Sequence, residues 1–509
     1  MTPIAPQADP LPTLLELMAG DDDHPALVAP GKPSLTYAQL RHQIVSLAAQ
    51  LNRFGLGRGD RISLAMPNGP EMILTYLAAA TCGTAVPLNP KYTEAEFRFY
   101  YEDTHAAALI VLNEGIAAAQ AALLPGMLLL RVTPQADGTL HLEKIGGADK
   151  PPRPMALAEA DDVAMILHTS GTTSQPKRVP IRHRNLAASA QNIIGTYSLT
   201  ASDRALCIMP LFHVHGIVAS MLSTLASGGT VICPTGFNAM EFWGILKEYQ
   251  PTWYSAVPTM HQLLLARAGR NQEAIATSPL RFIRSSSASL PPVVLEHLEA
   301  TFNAPVLEAY SMTEASHQMT SNALPPGLRK AGSVGIGFGV AVAIMDEAGN
   351  LLSQGELGEV VVKGPNVVDS YENNPEANAK AFTNGWFRTG DQGRLDADGY
   401  LCLTGRLKEL INRGGEKISP LEVDNVLLRH PAVIEAMAFA VPHKTLGEEI
   451  HAALVVTDDS ITEKELKAYC SEHLAEFKVP HQFHILPELP RGATGKLQRL
   501  KMAELLNLT

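Results

Sequence analysis

The chain has 509 residues, 46% of them hydrophobic and 18% charged, with a formal net charge of −11 at pH 7. That length exceeds what one hydrophobic core holds, so more than one domain is expected, with the composition of an ordinary soluble globular protein. The acidic balance disfavours a nucleic-acid binder or a membrane-surface binder, since both need a basic face; it still allows a local cluster of cations around a small anion.

The opening "MTPIAPQADP" has neither a basic nor an apolar signal region, so no secretory leader is expected. "YAQLRHQIVSLAAQLNRFG" (37–55) has helical spacing and ends at a glycine. "RISLAMP" (61–67) and "AALIVLN" (107–113) read as short buried strands. "IAAAQAALLPGMLLL" (116–130) is broken by Gln and Pro-Gly and is too short to span a bilayer. Val163–Leu167 reads as a further strand, as do "TVICP" (230–234) and "TWYSAVP" (252–258), each stopped by a proline. Strands alternating with helices predict an α/β fold: a large N-terminal domain of parallel-type sheets covered by helices. Beyond about residue 400 the pattern becomes helix (421–430), strand (431–441), strand (450–457) and helix (462–474), a small α+β domain. The expected division is 1–405, a hinge at 406–408, and 409–509. Cys82, Cys207, Cys233, Cys402 and Cys470 are scattered without a CxxC pair, which suits a reducing compartment. With "LLNLT" no peroxisomal tripeptide, a cytoplasmic location is expected.

The stretch "LHTSGTTSQPKRVP" (167–180) places a hydroxyl-rich turn and a lysine after a strand. Backbone N–H groups in such a turn can converge on one anion. The spacing is not that of the ordinary P-loop, and a solvated surface loop remains an equal alternative on composition alone. Four further stretches follow: "EAYSMTE" (308–314), "WFRTGD" (386–391), "GRLKELINRGGEKISP" (405–420) and "PRGATGK" (490–496). Each alone reads as a turn or a solvated lysine.

In this order, over the whole length, they resemble the acyl-adenylate-forming superfamily of acyl-CoA synthetases, luciferases and adenylation domains. The resemblance implies ATP, Mg²⁺ and coenzyme A as cofactors and co-substrates. It implies that Thr169, Ser170, Gly171, Thr172, Thr173 and Lys177 hold the departing pyrophosphate. Glu308, Ala309 and Tyr310 would line the adenine, and Asp391 and Arg406 would meet the ribose. Glu314 would bind the metal, Thr313 would touch the α-phosphate, and Lys496 would bridge the α-phosphate and the reacting carboxylate. Lys408 falls at the hinge about which the small domain swings. Gly414 and Gly415 would line the pantetheine path, though a plain turn is the simpler reading of a Gly-Gly pair. Two departures from the family loop stand out: Ser174, small, and Arg178, a bulkier cation expected close to the phosphates.

The acid pocket is read from "PLFHVHG" (210–216), "SSSASLPP" (285–292) and "EASHQMTSN" (314–322). If residues 213 and 215 lie on a strand they share a face, so His213 and His215 would converge. HxH is also a metal-ligand spacing, and a lone sheet histidine is usually a packed side chain. Several imidazoles and hydroxyls do not suit an apolar tail, whose burial would leave them unpartnered at about 1–3 kcal/mol each. They suit a short dicarboxylic acid. The stretches are similar to the oxalate–CoA ligase branch of the superfamily. That implies oxalate as the acid, with His215, Ser287 and His317 on its free carboxylate and His213, a catalytic candidate, gating the pocket or reaching toward the α-phosphate. Malonate or acetate ligation and the loading of a separate carrier protein are the alternatives; oligomeric state is not legible.

Overall fold

A computed structural model describes residues 11–113, 115–169, 176–457, 461–491 and 497–508. The helix expected over 37–55 forms as Tyr37–Arg53. Thr36 caps it in a reciprocal box with Gln39, and Leu40, Ile44, Leu47 and Leu51 recur on its buried face. The next helix, Pro70–Cys82, is buried along its whole length; it is mostly apolar, and its Glu71 is paired with Lys32.

Two large sheets flank these helices. One has seven strands, running from Leu140–Gly146 through Arg61–Ala65 to Val163–Thr169 and Lys177–Arg182. The other has nine, and its centre is the parallel succession Arg204–Leu206, Trp253–Ala256, Phe282–Ser285 and Val306–Met312. One continuous core joins both sheets through the helices Tyr37–Arg53, Pro70–Cys82 and His183–Tyr197. The expectation of parallel-type sheets holds for the central strands of these two, whose edges are antiparallel. It omitted a five-stranded antiparallel sheet that includes Gly358–Lys363, Trp386–Leu395 and Leu401–Arg406. The helix Pro375–Ala381 between Gly358–Lys363 and Trp386–Leu395 gives the spacing of a parallel crossover, yet these two strands pair antiparallel.

The C-terminal elements form as Pro420–Leu427, Val433–His443, Gly447–Val456 and Glu463–His473 around their own core. Leu401–Arg406 is the last strand of the antiparallel sheet, and Ile411–Arg413 is the first of the final one. No helix among the described residues is long and apolar enough to cross a membrane.

Candidate active site

The central parallel strands run side by side, and His213, His215, Ser287, Tyr310, Thr313 and Glu314 lie at or beyond their carboxyl ends. This is where open α/β sheets bind ligands. Three groups of side chains meet there.

The first group borders the hydroxyl-rich loop. Val163–Thr169 and Lys177–Arg182 pair antiparallel, with Thr169 opposite Lys177 and His168 opposite Arg178. Strand alternation therefore sends Lys177 and Arg178 to opposite faces. The Lys177 ammonium lies 4.5 Å from the centre of the Tyr371 ring. The Tyr371 hydroxyl donates to Glu314 Oε1 at 2.7 Å, and Thr169 Oγ1 donates to the same oxygen at 3.5 Å. Burial lowers the pKa of Lys177; Glu314 opposes the shift and nearby Lys408 adds to it. Arg178, expected beside the phosphates, instead donates to the Asp103 carbonyl and lies 3.3 Å from the Asp103 carboxylate and 3.6 Å from that of Glu372. Ser170, Gly171, Thr172, Thr173 and Ser174 lie outside the described residues, as does Lys496.

The second group follows Val306–Met312. The Tyr310 hydroxyl donates to Asp391, and Arg406 Nε lies 3.2 Å from Asp391 Oδ1. Asp391 and Arg406 sit opposite one another on paired strands, which explains how residues fifteen apart converge. The Glu308 carboxylate accepts the Leu290 N–H at 2.8 Å, and burial pushes its pKa up to about 8. Its side chain thus holds the loop after Phe282–Ser285. Ser286 Oγ donates to the Ala309 carbonyl at 2.8 Å and fixes the same loop. Thr313, half-buried, opens the single turn Thr313–Ala315 that carries Glu314.

The third group is the acid pocket. Residues 213 and 215 are not on a strand: His213 lies in a turn, and His215 begins the π-helical segment His215–Leu222. The run 217–222, apolar except for Ser220, is wholly buried and packs between the large sheets, where a helical segment satisfies its own backbone. The two imidazoles consequently do not share a strand face; the His215 N–H donates to His213 Nδ1 at 3.3 Å. His215, Ser287 and His317 do converge. His215 Nδ1 lies 2.9 Å from Ser287 Oγ, and the His215 and His317 rings stack at 5.1 Å. Both histidines are fully buried. Ser287 (φ 73°) and His317 (φ 107°) hold positive-φ backbone, an uncommon setting for non-glycine residues that concentrates at functional sites.

Sequence reasoning missed three residues here. Tyr371 joins Lys177 to Glu314 from a loop remote in sequence. Ser255 Oγ meets His215 Nε2 at 2.6 Å. Arg284, wholly buried, donates to Ser255 Oγ at 3.0 Å. The signal for Arg284 was a cation inside the strand-like run "RFIRSSS".

Farther along, Gly414 (φ 60°) and Gly415 (φ 93°) make the two-residue turn between Ile411–Arg413 and Glu416–Ile418. Such turns need positive φ at both positions. A side chain on Gly415 would meet nothing within 4 Å, so that backbone is open to approach. Among the described residues no group of three His, Cys, Asp or Glu is placed to hold a metal ion. Glu314, 5% exposed, is a single carboxylate beside a lysine. That fits Mg²⁺, which takes one or two carboxylates and completes its octahedron from phosphates and water.

A family model described as AMP-binding enzyme matches residues 16–372, and its C-terminal-domain model matches 422–496. The oxalate–CoA ligase of Arabidopsis thaliana is 46% identical over 98% of both chains. That of Saccharomyces cerevisiae is 41% identical over 95% of this chain and 94% of its own. The crystal structure of ATP-bound MatB from Rhodopseudomonas palustris superposes with a TM-score of 0.85 at 29% identity, covering 96% of this chain and 97% of that one.

Proposed function

The chain belongs to the AMP-binding enzyme family, and on that premise we propose that it joins oxalate to coenzyme A at the expense of ATP. One oxalate carboxylate oxygen attacks the α-phosphate; the bond to the β-phosphate breaks and pyrophosphate leaves, giving oxalyl-AMP. The coenzyme A thiol, losing its proton, then attacks the oxalyl carbonyl and displaces AMP. Chemistry of this kind is mostly positioning and charge neutralisation.

Lys177 and Thr169, with Ser170, Gly171, Thr172 and Thr173, hold the pyrophosphate. Tyr310, Asp391 and Arg406 receive the nucleoside, beside the Glu308–Ala309 backbone. Thr313 touches the α-phosphate, and Lys496 neutralises charge between it and the acid. Glu314 holds Mg²⁺, which when bound neutralises phosphate charge. His215, Ser287 and His317 line the place of the remote carboxylate, with the Ser287 hydroxyl in contact, and His213 stands at the pocket mouth. Lys408 is the hinge between the domains 1–405 and 409–509. Gly414 and Gly415 border the path of the pantetheine arm. Nucleic acid and membrane are not partners in this reading, and five free cysteines support a cytoplasmic location.

The observation that carries the acid assignment is the stacked, buried His215–His317 pair with Ser287 beside it. An apolar tail would leave the Ser287 hydroxyl hydrogen without an acceptor, at about 1–3 kcal/mol. Pyrophosphate release across oxalate, malonate and acetate, with and without coenzyme A, tests the proposal. Oxalate is expected to be preferred and coenzyme A to be required for turnover. A better rate with malonate or acetate overturns the acid assignment and leaves the family standing.

A further inference from the structure

Arg284 is fully buried in the strand Phe282–Ser285 and, among the described residues, makes no ion pair with a carboxylate. Its donors go to neutral acceptors: Nε to the Tyr197 hydroxyl at 2.9 Å, Nη1 to Ser255 Oγ at 3.0 Å, and Nη2 to Gln318 Oε1 at 3.2 Å. A buried cation is costly unless an anion compensates it. We propose that Arg284 is the fixed charge at the base of a one-way hydrogen-bond chain, Arg284–Ser255–His215–Ser287, whose last hydroxyl donates to the remote carboxylate of a diacid. This rests on the reading of the pocket as a dicarboxylate site.

The direction of the chain follows from donor and acceptor capacity. A guanidinium only donates, so Ser255 Oγ accepts from Arg284. Ser255 is wholly buried, and the acceptor the described residues offer its own hydrogen is His215 Nε2, at 2.6 Å. Nε2 is then an acceptor, and the neutral ring carries its proton on Nδ1. Nδ1–H donates to Ser287 Oγ at 2.9 Å. That leaves the Ser287 hydrogen to point out of the chain, from a partly exposed residue. A doubly protonated ring would strand the Ser255 hydrogen in the core, beside a permanent cation. Each link polarises the next, so the arginine charge strengthens the terminal donor without touching the acid. A second carboxylate gains from that donor; a neutral group in its place gains far less. Arg284 and Ser255 are positioning residues, and Ser287 is the residue in contact.

Two measurements on the full-length enzyme test this. The first is ¹⁵N-histidine NMR without substrate, the His215 signal being assigned by its loss in His215→Gln. The wild type is expected to show the Nδ1–H tautomer, and Ser255→Ala to shift it toward Nε2–H. The second compares oxalate with oxamate, in which a neutral amide replaces one carboxylate. Arg284→Gln and Ser255→Ala are each expected to lower kcat/KM for oxalate about 30-fold or more, with oxamate changed less than about threefold. The KM for ATP should stay put, and Ser255→Thr should restore the oxalate rate. Ser255→Ala carries the test should Arg284→Gln not fold. A wild-type His215 protonated on Nε2 or on both nitrogens overturns the chain. So does an equal loss for oxalate and oxamate, the mark of a purely structural arginine. A wild type that shows the Nδ1–H tautomer but ignores oxalate overturns the substrate reading alone.

Discussion

Tyr371 places two tasks on one side chain: its ring lies under the Lys177 ammonium and its hydroxyl anchors Glu314. Tyr371→Phe keeps the ring and removes the anchor. A hydrogen bond to a charged group contributes about 1.5–3 kcal/mol, so ATP–pyrophosphate exchange should fall about tenfold or more. The Mg²⁺ concentration for half-maximal exchange should rise. An unchanged Mg²⁺ titration would show that Tyr371 does not orient the metal carboxylate. Glu308 gives a second residue-scale prediction. Its pKa is raised by burial to about 8, so folding takes up a proton between the ordinary carboxylate range and pH 8. Its contribution is complete below the unfolded pKa and is lost as pH rises toward 8. Glu308→Gln should therefore flatten the decline of Tm between pH 5 and pH 8; an equally steep decline contradicts the buried-acid assignment. The convergence of His215, Ser287 and His317 was legible because His215 and Ser287 stood where relatives carry an aromatic and small apolar or glycine residues, and His317 lies three residues after Glu314. Tyr371, Ser255 and Arg284 were not, because their partners are fixed by tertiary contact alone.

The element scale shows where local pattern suffices. Tyr37–Arg53 was readable because its periodicity and the glycine after it agree, and the structure adds the Thr36–Gln39 cap. The segment His215–Leu222 was misread in part because alternation of two histidines mimics a strand, whereas the apolar run beyond them is set by burial between two sheets. His183, at the start of His183–Tyr197, ties elements together through a defined tautomer. Nδ1 accepts the Leu14 N–H at 3.1 Å and Nε2–H donates to the Ala80 carbonyl at 3.1 Å. Burial pushes its pKa down to about 4, so the unfolded chain binds the proton first as pH falls. The contribution is complete above the unfolded pKa near 6.5 and is lost toward pH 4, about 3 kcal/mol in all. His183→Gln should be less stable at pH 7, yet lose stability less steeply between pH 6.5 and 4 in denaturant titrations. His261, lowered to about 3 by the same cause, keeps its own share of that slope. Parallel slopes for wild type and variant would contradict the assignment.

At the scale of the molecule, a chemistry in two steps must share one site between two attacking groups. Leu401–Arg406 ends one body and Ile411–Arg413 begins the next, so few residues can absorb a rotation. Lys408→Pro fixes φ near about −65° and restricts the residue before it. One half-reaction should survive and the other fail, read as ATP–pyrophosphate exchange against thioester formation from pre-made oxalyl-AMP. Unchanged steady-state turnover would move the hinge elsewhere. The central claim is that this pocket selects oxalate for transfer to coenzyme A. Its most direct test is competition: equimolar oxalate, malonate and acetate with ATP, Mg²⁺ and coenzyme A, the thioesters being separated and weighed by mass spectrometry at early times. Their ratio is the ratio of kcat/KM. Oxalyl-CoA should dominate, with AMP formed one for one; a mixture led by malonyl-CoA or acetyl-CoA would contradict the claim.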